Sequence, residues 1–141
     1  MFQGLGDTFG ISDQLAHLAN VARELGDYGR AKLLLREDLR VLQRLRDKPG
    51  LAKCFEGLAM LAAVGGQSAQ AARLFGAAYG LREAIGTPVE AVDRRARECG
   101  MAEVHAALGE DAFTAAWAVG QASALEEAIA QAFQESDTQP Q

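Results

Sequence analysis

The residues that could carry chemistry in this chain are few and lie far apart. The chain of 141 residues has two histidines, His17 and His105, and two cysteines, Cys54 and Cys99. Neither histidine has a second ligand at the spacing of a helical metal site, and two isolated thiols form neither a zinc pattern nor a disulfide framework. No nucleophile motif or phosphate-binding loop is present. The sequence therefore predicts no enzyme, no catalytic residue, no metal site and no cofactor, with both cysteines as small buried residues.

Basic residues form two clusters that suit an acidic partner. Arg36, Arg40 and Arg44 lie four residues apart, which places them in one stripe along a helix. A second cluster covers residues 93–97. Either cluster could meet a phosphate or an acidic partner, including another domain of the same protein, or could be a solvated face with local acidic partners. The net charge of −5 argues against direct nucleic-acid binding, which needs a basic surface.

Helices are the elements that we expect to position these groups. Alanine and leucine, which favour helices over strands, dominate a chain that is 49% hydrophobic and 6% aromatic. N-capping residues, first-turn prolines and glycine stops predict seven helices, at 12–25, 28–46, 49–64, 68–86, 88–108, 111–119 and 124–133. Ser12, Thr87 and Ser123 are the expected N-caps of three of them. No signal peptide or membrane-spanning run is recognised, so we expect a bacterial cytoplasmic protein with no membrane partner.

The predicted helices repeat with a period of 40 residues. Leu18, Ala19, Ala22, Gly26, Ala31 and Leu34 recur as Leu58, Ala59, Ala62, Gly66, Ala71 and Leu74. A period in this range indicates stacked helical hairpins, because one hairpin alone cannot bury its apolar face. We expect one all-α domain over 12–134, with hairpins at 12–46 and 50–86 and a C-terminal helical cap at 88–134. Segment 1–11 is predicted to be flexible, and 135–141 to be a disordered tail.

A stripe of small residues marks a close approach between helices. Ala72, Gly76 and Gly80 lie four residues apart in the fourth predicted helix. Each glycine costs a helix interior about 1 kcal/mol relative to alanine, so packing must offset the loss. A membrane dimer motif has similar spacing, but Arg73 and Arg82 in the same helix argue against it. We therefore expect another helix to lie against this stripe.

Gly26, Asp27 and Tyr28, followed by Ala31, resemble the turn of a tetratricopeptide repeat. The residues before this turn and the second unit match the same family pattern, at Leu15, Leu18, Ala19 and Ala22 and at Phe55, Leu58, Ala59, Ala62, Gly66, Ala71, Phe75 and Ala78. Both units are longer than is usual in that family. The resemblance implies a right-handed superhelix of antiparallel hairpins, whose first helices line a concave groove that binds a peptide or protein segment.

The same resemblance implies which residues line the groove. They are Asp13, Ala16, Asn20 and Arg23 from the first unit and Lys53, Glu56 and Met60 from the second. Asn20, Arg23 and Lys53 would hydrogen-bond a peptide backbone or carboxylate. Met60 would fill an apolar pocket. The alternative is that these residues are the ordinary polar surface of exposed helices.

Residues 50–88 and 107–133 resemble the C-terminal helical-repeat region of large bacterial transcription and signalling regulators, which follows an ATPase module of the signal-transduction type. This resemblance implies a non-enzymatic protein-interaction or effector-sensing module, a fragment of a regulator whose other domains are candidate partners. Two alternatives stay open. An apolar hairpin end at Leu15, Leu18 and Val21 would drive self-association into a homo-oligomer. A pocket in the groove would sense a small molecule.

Overall fold

Seven α-helices joined by short connections make up the described chain. A computed structural model describes residues 5–89 and 91–137, and side chains over 10–89 and 94–133. The helices are α1 (Leu5–Glu24), α2 (Tyr28–Leu45), α3 (Lys48–Val64), α4 (Ser68–Ile85), α5 (Ala91–Leu108), α6 (Glu110–Ala122) and α7 (Leu125–Asp137). Over these ranges there is no strand, and no helix is long and apolar enough to cross a membrane. The predicted all-α class with seven helices is confirmed.

Aspartate side chains begin α2 and α3. Asp27 accepts a hydrogen bond from the Arg30 backbone N–H at 3.3 Å, and Asp47 accepts one from the Gly50 backbone N–H at 3.1 Å. Pro49 lies in the first turn of α3, where a missing N–H leaves no helical hydrogen bond unmade. The predicted starts of both helices are therefore confirmed to within a residue.

The turns that end α1 and α3 have the same geometry. Gly26 has a φ of +84° and Gly66 a φ of +81°, which is the left-handed region that glycine adopts without strain. In each turn the next residue, Asp27 or Gln67, donates its backbone N–H to the carbonyl five residues earlier at 2.8 Å. Because the paired positions differ by 40, the repeat in sequence is also a repeat in local structure.

Two serines that were expected to be N-caps have other roles. Ser12 lies inside α1, which begins at Leu5, and its hydroxyl donates a hydrogen bond to Asp38. Ser123 follows α6, and its hydroxyl donates to the Val119 carbonyl at 2.8 Å, so it closes α6 and does not open α7. A serine hydroxyl can donate to a carbonyl one turn earlier or accept from an N–H two or three residues later. The position of a serine in the sequence therefore does not show whether it ends one helix or begins the next.

The connection from α4 to α5 also differs from its prediction. Because α5 begins at Ala91, Thr87 and Pro88 precede the helix and do not form its N-cap and first turn. Their carbonyls accept hydrogen bonds from Nη1 of Arg82, at 3.3 Å and 3.1 Å. Glu90, the last residue of the expected capping box, lies outside the described residues.

The helices at both ends of the chain are longer than predicted. α1 begins at Leu5, inside the segment 1–11 that was expected to be flexible, and α7 ends at Asp137, inside the expected tail 135–141. Residues 1–4 and 138–141 lie outside the described residues. Helix ends are the least certain part of any boundary drawn from sequence, because terminal turns depend on local caps.

α1 contacts α2, and α3 contacts α4, as two helical hairpins that stack on one another. The second hairpin sits on the first through two glycines of α3. A Cβ added to Gly50 would lie 2.6 Å from Cδ2 of Leu42, and one added to Gly57 would lie 3.0 Å from Cδ1 of Leu35. The leucines of α2 thus fill the space that these glycines leave. Hairpin packing agrees with the prediction, whereas a right-handed superhelix stays a prediction.

α4 is the central helix of the C-terminal half, because α3, α5, α6 and α7 all contact it. Gly76 and Gly80 face backbone carbonyls of α6, and Gly120 of α6 faces the Arg73 carbonyl in return. A Cβ added to Gly80 would lie 2.8 Å from the Gln121 oxygen, and one added to Gly76 or Gly120 would clash more severely. The close approach predicted from the small-residue stripe is confirmed, with α6 as the approaching helix.

Candidate binding groove

A groove with a cavity of about 400 Å³ opens between α1, α2, α3 and α5. All the groove residues expected from the sequence line it: Asp13, Ala16, Asn20 and Arg23 from α1, and Lys53, Glu56 and Met60 from α3. The two helices hold the same place in successive hairpins, so matched positions on them face the same space. Ala96 and Arg97 of α5 complete the wall.

The floor of the groove is apolar. Ala19, Leu35 and Leu61 line it and are buried. Cys54 lies among them, and its Sγ donates a hydrogen bond to the Leu35 carbonyl at 3.3 Å. Burial, and to a lesser degree the Asp38 carboxyl group, raises the pKa of the Cys54 thiol well above its ordinary value. The thiol is therefore uncharged at neutral pH and acts as a small apolar group.

The carboxyl group of Asp38 is buried in the wall of the groove. Asp38 of α2 is 3% exposed and accepts a hydrogen bond of 2.5 Å from the Ser12 hydroxyl of α1. Burial is the main cause that raises the pKa of Asp38 from 3.8 to about 6, and the charges of Asp13 and Asp47 add to the rise. The Ser12 hydrogen bond and the Lys53 ammonium group lower this pKa. Asp38 therefore changes its charge in weakly acidic solution.

Glu56 lines the groove, but an internal partner already occupies its carboxylate. Its Oε2 accepts a hydrogen bond from Nε of Arg82 at 2.9 Å, and its Oε1 accepts one from Nη2 at 3.0 Å. Both side chains of this pair are nearly buried, at 6% and 10% exposed. Since Arg82 also bonds the carbonyls that follow α4, the pair joins α3, α4 and the start of the next connection. Its position favours a structural role for Glu56.

The rim of the groove carries the remaining expected polar residues. Asp13, Asn20 and Lys53 are exposed, and Arg23 is half-buried. Nη2 of Arg23 donates a hydrogen bond to Oδ1 of Asn20 at 2.6 Å, so these two side chains form one polar unit on α1. Met60 is half-buried beside α5, where a Cβ added to Gly100 would lie 3.4 Å from its Cγ. The rim therefore presents groups of both charges.

The arginine stripe on α2 lies outside the groove and meets the last helix. The guanidinium carbons of Arg36 and Arg40 lie 5.9 Å and 4.7 Å from the ring centroid of Phe133 in α7. Such contacts are attractive because the ring face is electron-rich. Arg44 is exposed at the end of the stripe. Two of the three arginines thus contact the chain's own C-terminal helix, and docking of another domain on them stays a prediction.

A second cleft, of about 380 Å³, lies between α4 and α5 and takes in part of the other basic cluster. Tyr79, Arg82, Arg94 and Arg97 line it. Nη2 of Arg94 donates to the Val89 carbonyl at 3.4 Å. Arg97 lines both this cleft and the groove, so the wall between the two cavities is thin at that side chain.

The described histidines and cysteines form no metal-binding cluster, although His17 and Cys54 both line the groove. Nε2 of His105 lies 2.7 Å from Oε1 of Glu110, outside the groove, and its ring stands nearly perpendicular to that of Phe113. Over the described side chains, no three His, Cys, Asp or Glu residues form a group that could hold a metal. Cys99 is exposed, so the expectation that both cysteines are buried is wrong for this one, which lies on the outer side of α5.

Comparison with known proteins adds no family to this description. No family model, no curated protein and no solved structure matches the chain. The tetratricopeptide and regulator resemblances therefore stay predictions, based on the residues from which they were drawn. The groove has to be interpreted from its own geometry and charges.

Proposed function

We propose that this chain is a non-enzymatic binding module that holds an extended segment of another protein in the groove between α1 and α3. The supporting observation is that equivalent faces of two successive hairpins surround one cavity of about 400 Å³. An array that repeats its lining positions along a groove suits a ligand that is itself a repeating chain, and a peptide backbone is such a ligand.

The groups around the cavity fit a peptide. An apolar floor formed by Ala19, Leu35 and Leu61 can take one side chain of the ligand, which supplies burial energy. Amide, guanidinium and ammonium groups of Asn20, Arg23 and Lys53 at the rim can donate to peptide carbonyls or carboxylates. This combination of an apolar floor and a mixed polar rim is common in interaction surfaces.

A small-molecule effector is the second candidate. Cavities that hold small ligands typically measure about 300–1,000 Å³, and the groove falls in this range. The sequence resemblance to a regulator suggests a cytoplasmic setting for either ligand, with another domain of that regulator as the source of the peptide. In both cases the module would act by binding and would leave its ligand chemically unchanged.

Selection from a displayed library of random peptides tests the groove. The wild-type protein is expected to enrich a set of related peptides. A variant with Asn20, Arg23 and Lys53 all replaced by alanine should bind the enriched peptides at least about tenfold more weakly, since hydrogen bonds to charged groups contribute about 1.5–3 kcal/mol each. Isothermal titration of one enriched peptide into each protein gives the two dissociation constants.

A matched control carries alanine at Gln14, Arg30 and Lys48, which remove one amide, one guanidinium and one ammonium group from exposed positions outside the cavity. The control should bind like the wild type. Equal loss in both variants would show that total charge matters and position does not. Unchanged binding in the first variant would mean that the peptide lies elsewhere, and failure to enrich any peptide would count against a peptide ligand.

A further inference from the structure

Four rings form an unbroken row on the surface of the C-terminal half. The row, called the aromatic row, consists of His105 of α5, Phe113 and Trp117 of α6, and Tyr79 of α4. Neighbouring ring centroids along it lie 4.8 Å, 5.7 Å and 5.4 Å apart, which are attractive distances for aromatic pairs. The His105 side chain is 45% exposed and Tyr79 is 37% exposed, whereas the two rings between them are half-buried.

A carboxylate stands at each end of the aromatic row. Oε1 of Glu110 lies 2.7 Å from Nε2 of His105, and Oε2 of Glu83 accepts a hydrogen bond from the Tyr79 hydroxyl at 3.1 Å. The Glu110 side chain is 75% exposed, and no hydrogen bond to its Oε2 is present among the described residues. The row therefore combines electron-rich ring faces with an open carboxylate oxygen, and both attract a cation.

Charge is unevenly distributed along the chain. Residues 98–141 contain eight Asp and Glu residues and no Lys or Arg, which gives them a formal charge of −8, whereas all 14 Lys and Arg residues lie in residues 1–97. α6 and α7 therefore carry only negative charge. At the other end of the row, the hydrogen bond from Tyr79 to Glu83 raises the pKa of the Tyr79 hydroxyl, and the nearby charge of Arg97 lowers it. An incoming cation would thus be attracted at Glu110 and would meet a like charge near Tyr79.

We propose that the aromatic row is a docking surface for an arginine side chain in a basic segment of a partner protein, with its guanidinium group at the end nearest Glu110. A guanidinium group is planar, so it can stack on the neighbouring Phe113 ring and donate to the open carboxylate oxygen at the same time. Arginine and aromatic residues are enriched in protein interfaces and supply much of their binding energy. Among the described residues, none of the row lines the groove, so the proposal does not depend on a ligand there.

Nucleic acid is the other polymer that binds exposed rings, because its bases stack on them. Its phosphates would be repelled by residues 98–141, since nucleic-acid binding needs a basic surface and this part of the chain has no basic residue. The charge therefore favours a basic protein segment over a nucleic acid as the partner.

Trp117 makes docking directly measurable, because it is the one tryptophan of the chain and lies within the row. A capped peptide of alternating arginine and glycine is titrated into the full chain while Trp117 fluorescence is recorded, and a saturable change is expected. A peptide of the same length with lysine in place of arginine should bind about threefold more weakly, because an ammonium group does not stack. A citrulline peptide, which carries no side-chain charge, should bind about tenfold more weakly.

Glu110→Gln removes the carboxylate charge and keeps the size of the side chain. It should weaken binding of the arginine peptide about fivefold, because a charge-assisted hydrogen bond becomes a neutral one. Glu126→Gln is the matched control, since it removes one charge from an exposed residue of the same acidic part, beyond the opposite end of α6, and it should bind like the wild type. Phe113→Leu should weaken binding about threefold through loss of the ring, with circular dichroism as the check that it is folded.

Several results would overturn the proposal. An equal loss in Glu110→Gln and Glu126→Gln would show that total charge attracts the peptide and the row does not. Equal affinity for the arginine and lysine peptides would remove the guanidinium group as the feature that is recognised. The absence of any saturable change in Trp117 fluorescence would remove the row as the site, and tighter binding of a single-stranded oligothymidine would make a nucleic acid the occupant.

Discussion

Gly120→Ala is the sharpest test of the contact between α4 and α6. A Cβ at this position would clash with the Arg73 carbonyl and would lie 3.0 Å from the Ala77 backbone nitrogen. Backbone atoms cannot move aside by a change of rotamer, so the two helices would have to separate. Gly10→Ala in α1 is the matched control, because a Cβ there meets nothing within 4 Å. Both changes replace a helical glycine with alanine, and only their surroundings differ.

The expected magnitudes follow from two opposing effects. Alanine gains about 1 kcal/mol over glycine inside a helix, and at Gly10 this gain stands alone. At Gly120 overpacking costs about 1–3 kcal/mol or more, and separating the helices also weakens the Tyr79–Trp117 ring contact. We expect Gly10→Ala to raise the free energy of unfolding by about 0.5–1 kcal/mol and Gly120→Ala to lower it by about 2 kcal/mol. Gly80→Ala, with its carbonyl contact at 2.8 Å, should fall between them.

Urea unfolding followed by far-ultraviolet circular dichroism measures these free energies. Trp117, the one tryptophan of the chain, reports the same contact by fluorescence, because its ring centroid lies 5.4 Å from that of Tyr79. The Gly120→Ala protein should show altered native-state fluorescence, and the Gly10→Ala protein should not. If the two variants shift the urea midpoint equally in the stabilising direction, α4 and α6 do not approach as closely as described, and the reasoning fails.

Three further predictions concern charge and backbone strain. Burial raises the pKa of Asp38 from 3.8 to about 6, so native stability should fall as pH rises between those values. Asp38→Asn should remove this fall and add up to about 3 kcal/mol to the free energy of unfolding at neutral pH. Melting temperatures of both proteins, measured against pH, check this. Arg82→Met leaves the buried Glu56 carboxylate unpaired and should cost about 3–5 kcal/mol in urea unfolding, most of which Glu56→Met added to it should restore. Arg46 has a φ of +57° where the second hairpin has Gly86, so Arg46→Gly should raise the free energy of unfolding, measured in urea, by about 0.5 kcal/mol.

Each of these predictions has an outcome that contradicts it. Equal melting-temperature differences between wild type and Asp38→Asn at pH 4 and pH 7 would mean that this carboxyl group titrates normally. A double variant of Glu56 and Arg82 as unstable as Arg82→Met alone would show that packing, and not the unpaired charge, sets the loss. Arg46→Ala controls for the lost arginine side chain, and a gain as large as that of glycine would remove backbone strain as the cause.

Features that depend on near neighbours in the chain could be predicted from the sequence. Gly26 and Gly66 end their helices because a left-handed residue is needed there, and that need shows in the residue type. The stripe of Gly76 and Gly80 also shows in sequence, because only a close helix justifies the loss of propensity. Its partner could not be predicted, since Gly120 gives no sign of which helix it faces.

Features that depend on distant residues could not be predicted. Glu56 and Arg82 lie 26 positions apart, as do Ser12 and Asp38. A polar residue on the buried side of a helix and a polar residue at a groove rim can occur at the same helical spacing. The sequence alone therefore does not show whether such a residue forms an internal ion pair or contacts a ligand. The groove positions came from the tetratricopeptide resemblance, which implies that α1 and α3 face one space, whereas the chemistry at Glu56 depends on a partner from α4.

The return of α7 to α2 sets the order in which the molecule can assemble during synthesis. Contacts within each hairpin join neighbouring helices and can form as soon as both have left the ribosome. The contacts of Arg36 and Arg40 with Phe133 close a loop over most of the chain. The nascent protein therefore keeps one side of its N-terminal half uncovered until α7 has left the ribosome, and a chain cut before α7 would leave that side exposed to chaperones and proteases.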